Sequence, residues 1–152
     1  TLRTRQTGAV IRMEFVSQSP EETEAIGARF AEALRPGDVV ALEGDLGAGK
    51  TAFVRGVLRG LGYAGRVTSP TFAIANEYET SRAAVVHCDM YRILDESALY
   101  ELGFGEYLDG RRVVLIEWSE NIRYALPETR KTVRIVYGEA PDERRIEMVE
   151  AE

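Results

Sequence analysis

Apolar and polar positions alternate along the chain in a way that divides it into short apolar runs and amphipathic segments. Residues 1–12 are polar and basic without a period. They read as an N-terminal extension, disordered or foreign to the native chain, with residues 13–152 as a single domain. A strand-like run covers Ile11 to Val16. Ser19-Pro20-Glu21-Glu22 then carries three signals of a helix start: a capping hydroxyl, a proline for the first helical position and a glutamate able to close a capping box. Ile26, Phe30, Ala33 and Leu34 share one face of that helix, and Pro36-Gly37 ends it. Asp38 to Glu43 reads as a strand around Val39-Val40-Ala41-Leu42. A glycine-rich turn leads into a helix from Lys50 to Leu61, whose apolar face includes Phe53, Val54, Val57, Leu58 and Leu61.

Strand signals return at Phe72 to Tyr78 and at Ala84 to Cys88. Asp95-Glu96-Ser97 opens a helix through Leu102, which Gly103 and Gly105 break before a short turn to Leu108. Val113 to Ile116 is a β-branched apolar run of the kind found in buried central strands. Lys131 to Tyr137 and Arg145 to Val149 read as a closing antiparallel hairpin. Alternating strands and helices predict an α/β fold. The late strand pair makes the sheet mixed, with helices on its flanks.

Composition narrows the function. A chain of 152 residues fits one hydrophobic core, since cores stay single below about 250 residues. The net charge of -6 argues against broad electrostatic capture of nucleic acid, which needs a basic stripe. Cys88 is the only cysteine and His87 the only histidine. An internal disulfide, a cysteine-based zinc cluster and a multi-histidine metal site are therefore excluded. Apolar runs reach only about five residues against the ~20 needed to span a bilayer, and no signal-peptide pattern occurs. The expected location is cytoplasmic, away from membranes.

Gly44-Asp45-Leu46-Gly47-Ala48-Gly49-Lys50-Thr51 matches the phosphate-loop pattern G-x-x-x-x-G-K-[ST] between a predicted strand and a predicted helix. Glycines let backbone N–H groups approach phosphates with no Cβ in the way, and the first helical turn adds unpaired donors and the positive end of its dipole. Lys50 is expected to reach the β- and γ-phosphates of ATP, and the Thr51 hydroxyl to ligate Mg²⁺.

Two apolar strands run into carboxylates, Val85-Val86-His87-Cys88-Asp89 and Val113-Val114-Leu115-Ile116-Glu117. The ends of such strands face the ligand crevice in open α/β sheets, where a phosphate-loop ATPase needs an acidic group for Mg²⁺ and one to place the attacking water. The residues alone do not assign these two roles between Asp89 and Glu117. Thr68-Ser69-Pro70-Thr71-Phe72 offers hydroxyls on a loop stiffened by Pro70, suited to sensing a γ-phosphate. His87 and Cys88 read as packing residues, Arg92 as half of an ion pair in preference to a phosphate contact, and Arg144-Arg145 as a solvated hairpin. Trp118 reads equally as a nucleotide neighbour or as a core or partner contact.

The phosphate loop, Ser69-Pro70-Thr71-Phe72, His87-Cys88-Asp89-Met90-Tyr91-Arg92, Leu102-Gly103-Phe104-Gly105-Glu106-Tyr107 and Ile116-Glu117-Trp118-Ser119-Glu120 occur in one order that resembles the TsaE (YjeE) family. The loop alone is generic; its combination with the D-x-Y-R and I-E-W segments is specific. Cys88 and Ser119 depart from the residues usual there. The resemblance implies slow hydrolysis of ATP with Mg²⁺ in support of the proteins TsaB and TsaD, which place threonylcarbamoyl on adenosine in tRNA. It implies contact with tRNA only through that complex. By the same resemblance Glu117 matches the Mg²⁺-associated glutamate, Asp89 the acidic residue near the γ-phosphate, and Thr71 the switch-like segment. A small-molecule kinase would need an acceptor pocket under a lid, for which no insertion is visible, and a GTPase the absent N-K-x-D motif. A non-catalytic, ATP-dependent assembly adaptor fits the same loop.

Overall fold

The computed structural model describes residues 3–7, 10–44, 47–68, 70 and 75–151, for 3–7, 10 and 151 without their side chains. Its centre is an eight-stranded mixed sheet flanked by helices, in the order β1-β2-β8-β7-β3-β6-β5-β4. The strands are β1 (Arg3–Thr7), β2 (Val10–Ser17), β3 (Val39–Gly44), β4 (Ala75–Glu79), β5 (Ala84–Asp89), β6 (Arg112–Glu117), β7 (Lys131–Tyr137) and β8 (Arg144–Ala151). β7, β3, β6 and β5 run parallel; the remaining neighbours pair antiparallel. The expected closing hairpin is β7–β8, and the α/β fold with a mixed sheet is the predicted one. Residues 1–12, expected as an extension, contribute β1 and the first residues of β2.

Among the described residues, four helices and a 3-10 segment accompany the sheet. They are α1 (Pro20–Ala31), α2 (Lys50–Gly60), α3 (Glu96–Leu102), α4 (Phe104–Tyr107) and the 3-10 segment Ser119–Ala125. The hydroxyl of Ser19 accepts from the Glu22 N–H at 3.1 Å, as expected of the cap, while the Glu22 carboxylate accepts from the Gln18 N–H at 2.6 Å, one residue before the Ser19 N–H that a capping box would use. Asp95 caps α3 by accepting from the Ala98 N–H. α1 stops at Ala31, short of the expected Leu34. Ala33 is exposed there, while Leu34 still packs into the core from the loop. The strand expected from Phe72 begins at Ala75, and residues 71–74 lie outside the described ones. The turn expected before Leu108 is α4, and the 3-10 segment after β6 was not expected.

Strand alternation splits the core in two. Val40, Leu42, Val85, Val113, Leu115, Val133 and Ile135 pack against α1 and α2. Val39, Ala41, Val86, Cys88, Val114 and Ile116 pack on the other face with Leu99, Phe104 and Ile122. The helices α1 and α2 lie in intimate contact, since a Cβ on Gly56 would sit 2.0 Å from the Glu24 carbonyl oxygen. That contact seats α2, and with it the loop that precedes it, against the sheet.

Candidate functional site

β3 ends at Gly44, and residues 47–49 lead into α2. Gly44 has a φ of 132°, and a Cβ there would come 1.9 Å from the Ile135 carbonyl oxygen on β7. Only glycine passes that point, so the loop leaves the sheet hard against its neighbour. Gly49 caps α2 with a φ of 107° and supplies no side chain to the first turn. The first-turn N–H groups and the positive end of the helix dipole are thereby left to an anion.

Lys50 is 7% exposed. Its Nζ donates to the Gly44 carbonyl at 3.3 Å and lies 4.8 Å from the centroid of the Trp118 ring. Both contacts are weaker than a charge-assisted bond to a phosphate, for which they can be exchanged. Trp118 itself has a φ of 57°, the one positive value outside glycine among the described residues. A bulky residue held there stores on the order of 1–3 kcal/mol of strain. The Tyr91 ring packs on Trp118 at 5.0 Å, and the Asn121 amide donates to the Met90 carbonyl at 2.9 Å, joining the ends of β5 and β6.

The two carboxylates stand side by side. Asp89 and Glu117 pair in register on β5 and β6, and Leu42 of β3 pairs with Glu117 from the other side. Leu42, Leu115 and Val85 belong to the α2 side of the sheet, and alternation puts Glu117, His87 and Asp89 on that same side. Asp89 accepts from the Tyr91 N–H at 2.9 Å. Glu117, 7% exposed, meets the wholly buried His87, with Nε2 2.7 Å from Oε2. Nδ1 of His87 has no hydrogen-bond partner among the described residues. A ring carrying its one N–H on Nε2, toward the carboxylate, leaves no buried donor unpaired.

Asp89 and Glu117 thus stand at the C-terminal ends of adjacent parallel strands, Lys50 at the start of α2 reaches the ring of Trp118 just after Glu117, and half-buried Thr51 follows it. Gly47, Ala48 and Gly49 form the described part of the loop. Asp45, Leu46, Ser69, Thr71 and Phe72 lie outside the described residues. The segment before Thr71 is tied to β4, because the Thr68 carbonyl accepts from the Asn76 amide at 3.0 Å and from the Tyr78 hydroxyl at 3.1 Å.

Three side chains differ from their sequence reading. His87 is a partner of Glu117 as well as a packing residue. Its place two residues before Asp89 on a strand, hence on the same face, is a signal the sequence held. Arg144 is no simple solvated residue: its Nε donates to the Ala48 carbonyl at 3.1 Å, and its guanidinium lies 4.6 Å from the Tyr137 ring centroid. No local pattern announces a contact across 96 residues. Arg92 is exposed and makes no ion pair among the described residues. Cys88 keeps its packing role: burial, and then the Glu77 charge, push its thiol up to about 12, so it is no nucleophile.

No group of three or more His, Cys, Asp or Glu among the described residues can cage a metal. Mg²⁺ needs no such cage, because it keeps waters and binds through one or two carboxylates plus substrate phosphates. A half-buried hydroxyl at Thr51 and a fixed carboxylate at Glu117 suit it.

The family model for threonylcarbamoyl adenosine biosynthesis protein TsaE matches residues 17–146. The chain belongs to the TsaE family. The match takes in the loop, both carboxylates and Arg144. The tRNA threonylcarbamoyladenosine biosynthesis protein TsaE of Bacillus subtilis is 44% identical over 134 residues, covering 88% of this chain and 82% of its own. The TsaE protein of Haemophilus influenzae is 39% identical over 145 residues, covering 90% of each. The crystal structure of Bacillus subtilis YdiB superposes with a TM-score of 0.81 at 37% identity, over 96% of this chain and 90% of that one.

Proposed function

We propose that this member of the TsaE family serves tRNA threonylcarbamoyladenosine biosynthesis as an ATP-binding protein that slowly hydrolyses ATP with Mg²⁺ and supports repeated turnover by TsaB and TsaD. The observation that carries the reading is Lys50, held nearly buried between the Gly44 carbonyl and the ring of Trp118, the residue after Glu117. A charge kept there by weak contacts is poised for a phosphate. A bound Mg²⁺ would neutralise charge on the β- and γ-phosphates.

The chain's own groups divide the remaining work. The loop N–H groups and the α2 N-terminus bind the phosphates. Lys50 turns from Gly44 and Trp118 toward the β- and γ-phosphates. Thr51 and Glu117 hold the metal, and His87 fixes the Glu117 carboxylate. Asp89 orients the attacking water or the Thr71 segment, which senses the γ-phosphate. No arginine is assigned as a finger in cis, so hydrolysis by the chain alone is slow. A partner that orders the Thr71 segment and excludes water accelerates it, each ~1.4 kcal/mol being tenfold in rate. No helix among the described residues is long and apolar enough to cross a membrane. The proposed place of action is the cytoplasm, with tRNA met through the complex.

The test follows phosphate release by the purified chain alone and with TsaB and TsaD, with tRNA modification measured in parallel. Slow release that rises with the partners and tracks modification supports the reading. Fast release indifferent to them contradicts it, and modification that needs ATP binding but no release favours an assembly adaptor.

A further inference from the structure

Among the described residues, the Lys50 ammonium has two partners of different kinds. The Gly44 carbonyl lies on the loop itself and accepts at 3.3 Å, a long bond. The Trp118 ring lies beyond the end of β6, with its centroid 4.8 Å from Nζ, inside the ~6 Å reach of a cation–π contact. Tryptophan is the side chain that attracts a cation most strongly in this way, and Lys50, only 7% exposed, meets it with little water to compete.

The ring is braced from both strand ends. The Tyr91 ring packs on it at 5.0 Å, and Tyr91 is itself anchored, since its N–H donates to the Asp89 carboxylate at 2.9 Å. The Met90 N–H donates to the Glu117 carbonyl at 3.0 Å, and the Asn121 amide donates to the Met90 carbonyl at 2.9 Å. The turn after β5 is thereby tied to the chain before and after Trp118. A φ of 57° on a bulky residue persists only where its neighbours over-determine it. The ring therefore meets Lys50 with little left to order.

In the function proposed above, Lys50 leaves this ring for the β- and γ-phosphates. Whatever the contact contributes to the free protein is then subtracted from nucleotide binding, because a ligand gains only the difference between the two states. We propose that Trp118 sets nucleotide affinity as a competitor: its ring holds Lys50 against the phosphates, loosens bound ATP and ADP, and takes the ammonium back as the product leaves. Product release limits many enzymatic cycles, so a fixed competitor for the phosphate-binding charge favours exchange. The inference rests on the phosphate-loop reading and concerns how tightly that loop holds its ligand. Its sign sets it apart from a structural role: losing a competitor tightens binding, whereas damage to the site weakens it.

Calorimetry with ADP and Mg²⁺ compares the wild type, Trp118→Leu, Trp118→Phe, Lys50→Ala and the double variant Lys50→Ala/Trp118→Leu, and stopped-flow release of a fluorescent ADP gives the off-rates. The size of a cation–π contact predicts that Trp118→Leu binds ADP about two- to thirtyfold more tightly and releases it more slowly. Trp118→Phe, which keeps a weaker ring, shows a smaller gain of the same sign and carries the test alone should Trp118→Leu not fold. On the Lys50→Ala background the loss of the ring changes ADP affinity by less than about twofold, since the competitor then has nothing to hold. Unchanged or weaker binding by the folded Trp118 variants overturns the inference and leaves the phosphate-loop reading standing. An equal gain with and without Lys50 overturns it too, because the ring then acts by another route. Failure of the wild type to bind ADP overturns the phosphate-loop reading itself, and this inference with it.

Discussion

Nε2 of His87 lies 2.7 Å from Oε2 of Glu117, inside the sheet and almost out of reach of water. The bond occupies one carboxylate oxygen and restrains the group, which leaves its other oxygen for a further partner. Partners that orient a metal-binding group affect metal affinity by about 10–100-fold when removed. His87→Ala is expected to weaken Mn²⁺ binding to the ADP-loaded protein by a factor in that range, measured by electron paramagnetic resonance. ADP affinity without metal, measured by calorimetry, is expected to change little. His87→Gln, which retains an N–H donor, should recover part of the loss.

Asp89 and Glu117 stand opposite each other on β5 and β6 but make different contacts, one with the Tyr91 N–H and one with His87. Glu117→Ala is expected to remove most of the Mg²⁺ dependence of nucleotide binding. Asp89→Asn keeps the shape and should retain nucleotide while losing hydrolysis at least tenfold. Equilibrium binding and phosphate release on the same preparations check both, and wild-type turnover in both variants would mark the carboxylates as structural.

Trp118 is the sole tryptophan and carries the Lys50 ammonium over its ring at 4.8 Å. Withdrawal of that charge toward a phosphate must change the ring's surroundings. Addition of ATP should therefore shift the intrinsic emission of the wild type, and the shift should vanish in Lys50→Ala. A titration followed by fluorescence reads this directly.

Much of the site was legible because its signals are local. The phosphate loop is a contiguous pattern, and strand alternation carries Asp89 and Glu117 to the ends of buried runs. The caps of α1 and α3 were legible for the same reason, since Ser19 and Asp95 act within three residues of themselves. What escaped is set by pairing between distant segments. Arg144 meets Ala48 only because β8 folds back on β7 beside β3. The His87–Glu117 bond likewise needs β5 and β6 to be neighbours in register. The edge strand β1 follows from pairing with β2, which a polar run without a period does not announce.

Cys88 offers a check on the packing around Asp89. Burial raises its thiol to about 12. The folded state thus retains a proton that the unfolded chain loses near the ordinary value of 9.0, so this group makes stability fall as pH rises from about 9 to about 12. At pH 8 an aromatic disulfide reagent should label native protein far more slowly than protein in denaturant. Rapid native labelling would show that the second core cluster is open.

Nucleotide binding in the proposed function depends first on Lys50 reaching phosphate. Charge-assisted bonds are worth roughly 1.5–3 kcal/mol, about ten- to a hundredfold in affinity. The decisive measurement is a calorimetric titration of ATP with Mg²⁺ into wild type and Lys50→Ala, both shown to be folded by circular dichroism. Tight one-to-one binding by the wild type and a loss of about ten- to a hundredfold in the variant are expected; equal affinity in the two would overturn the phosphate role of Lys50.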